Sequence, residues 1–73
     1  MVNTYRVVSS ESGWSLVRDQ GGIALWESPE KDAVVEFAHR VARANAPSRV
    51  VVHGEEGGIE SETDIDAEET PRR

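Results

Sequence analysis

The chain has no cysteine, which removes disulfide staples and thiolate-held metal from its chemistry. Lysine is nearly missing as well: of eight basic residues, only Lys31 is not an arginine. No apolar run approaches the ~18 residues a membrane-spanning helix needs, and no basic-plus-apolar leader is present. A cytoplasmic, non-membrane protein is expected. At 73 residues the chain holds one domain at most, and a core of that size buries only about 60% of the unfolded surface. Such a fold is marginal alone and needs good packing, a partner or favourable solvent conditions.

Carboxylates, by contrast, are abundant. Fourteen acids set a net charge of −6, and its placement is uneven. Residues 1–54 carry six acids and six bases, so they sum to zero. Residues 55–73 carry eight acids against Arg72 and Arg73, which accounts for the whole imbalance. High carboxylate content with almost no lysine suits a salt-rich cytoplasm, where excess negative charge maintains solubility.

The patterning predicts the order β-β-β-α-β-β. "NTYRVVSS" (residues 3–10) is rich in β-branched and aromatic residues and reads as a strand. "SESG" turns the chain at Gly13, where positive φ is expected. "WSLVR" (14–18) and "IALWE" (23–27) follow as strands, separated by "DQGG". From Ser28 the period changes. Val34, Phe37, Ala38, Val41 and Ala42 follow the i, i+3, i+4, i+7, i+8 spacing of one buried helical stripe. Ser28 is expected as its N-cap with Pro29 at the first helical position, and Asn45 and Pro47 end it. Glu36 and Arg40 stand at the favourable i, i+4 spacing.

"SRVVVH" (48–53) is a fourth strand, and "IESET" (59–63) a short polar fifth. The fold class expected is therefore α+β: an antiparallel sheet of four to five strands with one helix packed on one face. The domain spans residues 1–63, and the acidic segment 64–73 reads as a disordered tail.

Between the last two strands, "GEEGGI" suits a type I turn with Gly57 at positive φ as a bulge. His53, Glu55 and Glu56 are the only local candidates for metal ligation, and they fall short. Zinc needs three or four converging ligands, and calcium more oxygens than two adjacent glutamates supply. The glycines are followed by neither a helix nor a lysine, so no phosphate cradle is formed. His39 lies on the helix beside the buried stripe, and Ser9, Ser10 and Ser12 fall in a turn. No catalytic, cofactor or metal site is expected, and the protein reads as non-enzymatic.

With these elements placed, the chain resembles the domain of unknown function 2188 family, short proteins of haloarchaea and bacteria. The resemblance runs over about residues 4–63. It is carried by Gly13-Trp14 opening the second strand, by "EKDAVVEFAHRVARANA", and by Val52-His53-Gly54 before a glycine turn. It implies a small α+β domain and, for archaeal members, a salt-rich cytoplasm. It implies no activity that could be carried over to a residue. "GGIALWES" departs from it, being less polar than the resemblance leads one to expect.

One helix covers one side of the sheet, and apolar residues alternate onto both sides. The leading reading is a small protein-interaction or structural module. Val17, Ala24, Trp26, Val50 and Val52 are its candidate interface in a homodimer formed through the uncovered face or an edge strand. A monomer whose tail or loops cover that face is the other arrangement. The alternative is a nucleic-acid binder using Arg6, Arg18 and Arg49 on the strands, with Trp14 or Tyr5 to stack bases. The neutral balance of residues 1–54 and the screening expected in molar salt weigh against it.

Overall fold

The computed structural model describes residues 2–19 and 24–66. The expected reversal at "DQGG" falls mainly on 20–23, and most of the expected tail on 67–73, so both lie outside the described residues. Five strands and one helix follow in the expected order: β1 (Asn3–Ser10), β2 (Gly13–Arg18), β3 (Ala24–Ser28), α1 (Lys31–Ala44), β4 (Ser48–His53) and β5 (Ile59–Ile65). They form one sheet in the order β3-β2-β1-β4-β5. The meander β1-β2-β3 is antiparallel, β4 and β5 form a hairpin, and the sheet is mixed because β1 pairs β4 in parallel.

The first strand in the chain is thus the central one. Tyr5 and Val7 of β1, Leu16 of β2, Val50 and Val52 of β4 and Ile65 of β5 point toward α1, meeting Val34, Ala38 and Ala42. Phe37 and Val41 pack at the margin of that core, as the helical stripe requires. Removing each larger aliphatic side chain here from water contributes about 1.5–3 kcal/mol.

Gly13 has φ 141, as its place in the turn demands. A Cβ there would stand 2.5 Å from Pro29 Cα and 2.6 Å from the Ser28 carbonyl oxygen. Glycine therefore serves twice, for backbone conformation and for the close passage of the chain that leads into α1.

The helix begins later than its cap residues suggested. Glu30 occupies the N-cap position with extended backbone and makes no side-chain cap bond. Ser28 Oγ instead accepts the Glu30 N–H at 3.2 Å, closing a small turn before the helix. At the other end Asn45 donates from its backbone to Val41 and Ala42 and from its side chain to Val41 O. Asn3 Nδ2 donates to Asn45 O at 3.0 Å, and Ser48 Oγ to Ala42 O at 2.6 Å. The last carbonyls of α1 are so tied to the sheet. β5 runs to Ile65, two residues beyond the expected domain edge, because Ile65 is buried against Ser48.

The five residues expected on the uncovered face are split. Val50 and Val52 belong to the helix-covered core, since pairing with Tyr5 and Val7 sets their phase. Trp26 pairs with Leu16 and so lies on the helix side, its ring 4.8 Å from that of Phe37. Val17 and Ala24 pair with each other on the open face. That face is dressed in polar groups: Arg6, Arg49, His53, Glu62 and Asp64 surround Val51. Set between Arg6 and Glu62 in the ladder, Val51 is only 3% exposed, as long polar stems can cover an apolar neighbour. The face opposite α1 is therefore not the apolar surface that alternation predicted.

Candidate functional site

The side chains with the most chemistry gather around the β4–β5 turn. Gly57 N–H donates to Gly54 O at 3.0 Å and Gly54 N–H to Gly58 O at 2.8 Å, with Gly57 at φ 98. This is the expected tight reversal, and it places Glu55 and Glu56 in water. The pairing then slips: His53 opposes Ile59 and Val52 opposes Ser61, leaving Glu60 as the extra residue of a bulge.

His53 is held at both ring nitrogens. Arg6 Nη1 lies 3.1 Å from Nε2, and the Gly57 carbonyl lies 2.9 Å from Nδ1. Arginine only donates, so Nε2 is the acceptor and Nδ1 carries the proton that is donated to Gly57. The ring is a strut between β1, β4 and the turn, and neither nitrogen is free for a metal or a substrate proton. Arg6 also donates from Nε to Asp19 Oδ1 at 2.8 Å. His39 is similarly engaged, its Nδ1 lying 2.9 Å from the Val35 carbonyl.

On the helix side of the same turn lies a cleft of about 680 Å³, lined by Trp14, Lys31, the turn residues, Ile59 and Glu60. Lys31 is the first residue of α1, where the helix dipole disfavours a cation. Its ammonium crosses the cleft, sitting 4.7 Å above the Trp14 ring and pairing with Glu60. The bulge explains how Glu60 reaches that side.

The arginines proposed for nucleic acid are not gathered on one surface. Arg6 and Arg49 lie on the open face and each is paired with a carboxylate, Arg6 with Asp19 and Arg49 with Asp64 at 2.7 Å. The Asp64 carboxylate, by accepting that hydrogen bond, holds the Arg49 pKa above its ordinary value. Arg18 alternates to the other side, reaching Asn3 Oδ1 at 3.5 Å. Trp14 lies under Lys31, and Tyr5 is buried in the core. Among the described residues no three His, Asp or Glu side chains converge as metal ligands would.

The remaining feature is the free edge at β3. The pairing slips between Leu16 and Val17, so that Leu25 is the extra residue of a second bulge. Leu25 is 44% exposed and Trp26 39%. Periodicity could find neither bulge, since an extra residue leaves composition untouched while shifting every later side chain.

No helix of the described residues is long and apolar enough to cross a membrane. No curated protein and no solved structure matches the chain. Residues 5–65 match a family described as uncharacterized protein conserved in bacteria. That span takes in all of β2, β3, α1, β4 and β5, and begins at the first core residue of β1. The chain belongs to the DUF2188 family.

Proposed function

We propose that this protein is a non-enzymatic interaction module that self-associates through the β3 edge of its sheet. The carrying observation is the pair Leu25 and Trp26, large apolar side chains of an edge strand that both remain partly exposed, Trp26 while also packing on Phe37. Burying each in a partner is worth about 1.5–3 kcal/mol before association costs. A second copy is the simplest partner, because a two-fold axis needs only one self-complementary patch. The small core gives such a patch a further use, as extra burial stabilises a marginal fold. The bulge at Leu25 interrupts the edge ladder, so contact is made chiefly by side chains.

The lysine-poor, acidic composition supports a salt-adapted cytoplasmic setting. Both ring nitrogens of His53 are already engaged, which supports the non-enzymatic part of the reading. Nucleic-acid binding through Arg6, Arg18, Arg49 and Trp14 has less support, given the carboxylates on two of the arginines and the ammonium over the indole.

Size-exclusion chromatography with light scattering tests the reading. A mass near twice 8.0 kDa is expected, falling to one chain in Leu25→Asp with an unchanged circular dichroism spectrum. Trp26→Asp should act likewise but also loosen the contact with Phe37. A wild-type mass of one chain at high concentration and high salt would end the proposal.

A further inference from the structure

The cleft beneath the start of α1 plays no part in the β3 edge and has a distinct chemistry. Its floor is the Trp14 indole, its rim is Glu55, Glu56 and Glu60, and Ile59 at 55% exposure adds an apolar flank. One cation, Lys31, stands against three carboxylates, so the lining carries a net charge of −2. The chain itself demonstrates what the cleft holds: an ammonium over the indole face, balanced by Glu60. The ion pair is surface-accessible, of a kind that contributes little, and the lysine stands at the wrong end of the helix dipole.

We propose that this cleft is a binding site for an arginine side chain of a partner polypeptide. A guanidinium is planar, stacks on an indole and forks to carboxylates, none of which an ammonium does as well. It would lie on Trp14 in the place of the Lys31 ammonium, with its donors directed to the glutamates. The cleft is a groove open to solvent, about 680 Å³ in volume, so a guanidinium can enter it from outside with its flanking backbone left at the surface. Lys31 then acts as an internal competitor that any arginine must displace.

The test uses the full chain carrying Trp26→Phe, so that Trp14 is the sole indole fluorophore and the aromatic contact to Phe37 is kept. The probe is an acetylated, amidated Ala-Arg-Ala peptide, beside its citrulline and lysine analogues at matched ionic strength. A saturable change in Trp14 emission is expected with the arginine peptide, none with citrulline, and about five-fold weaker binding with lysine. Lys31→Met should tighten arginine binding about five-fold, and Glu60→Gln should weaken it about as much. Equal response to citrulline or lysine, no saturation, or an affinity unmoved by Lys31→Met would each overturn the assignment. The oligomeric state is not read by this titration, so the β3 proposal stands or falls separately.

Discussion

The two edges of the sheet face the same hazard and meet it differently. Each is an open strand that could template unwanted pairing, and each carries a bulge, at Leu25 in β3 and at Glu60 in β5. β5 adds charge: Glu60, Glu62 and Asp64 are all exposed, Glu60 paired with Lys31 and Asp64 with Arg49. β3 has only Glu27 and keeps Leu25 and Trp26 exposed. One border carries charge, and the other keeps apolar side chains exposed; the proposed self-association rests on that contrast.

The largest effect is expected where β3 is tethered. Gly13→Ala places a Cβ against Pro29 and Ser28 at a backbone conformation that L side chains rarely adopt, costing about 2–4 kcal/mol. Calorimetry should show the melting temperature lowered by about 10 °C or more. A change of a degree or two would mean that the β3 end yields easily.

Next comes the contrast between the edges themselves. Trp26→Ala should cost about 1–2 kcal/mol through loss of the Phe37 contact, whereas Glu62→Ala should stay within about 0.5 kcal/mol. Urea midpoints measure both, and equal values would mean that the two edges contribute alike to stability.

Salt should then act mainly on the acidic edge. Screening lengths near 3 Å at 1 M salt relieve the repulsion of the net negative charge concentrated in residues 55–73, while the three ion pairs found among the described residues lose at most about 1 kcal/mol each. A melting temperature several degrees higher in multimolar potassium chloride is the expected result, and identical melts would contradict the salt-adapted reading.

The smallest effect concerns Arg49 and Asp64. The folded pKa of Arg49 is raised, so its contribution is fully present below the unfolded value and is lost only as pH rises through the folded one. Both lie far above neutrality, and this pair should add no slope to stability between about pH 6 and 9. Comparing melts of wild type and Asp64→Asn across that window checks the sign.

Local patterns made much of the fold legible. The β-branched run from Asn3, the helical stripe from Val34 and the glycine turn after His53 each appear where periodicity and turn chemistry put them. What escaped was long-range. The parallel pairing of β1 with β4 decides which valines face α1, and nothing near residue 50 encodes it. Alternation could not orient Trp26, because Leu25 and Trp26 are both apolar and either could face the helix. The site was harder still. His53 was visible as a strand end, but Arg6 is 47 residues away and Glu60 is 29 from Lys31. Neither contact exists until the sheet is ordered.

That ordering also governs assembly in time. β1 sits at the middle of the sheet and precedes its other four strands in the chain, yet its second neighbour is complete only at residue 53. The β1–β2 hairpin can close early by a short loop, while the β1–β4 junction waits on a distant segment and is intrinsically slow to form. A nascent chain therefore exposes an unzipped central strand until the helix and β4 have emerged.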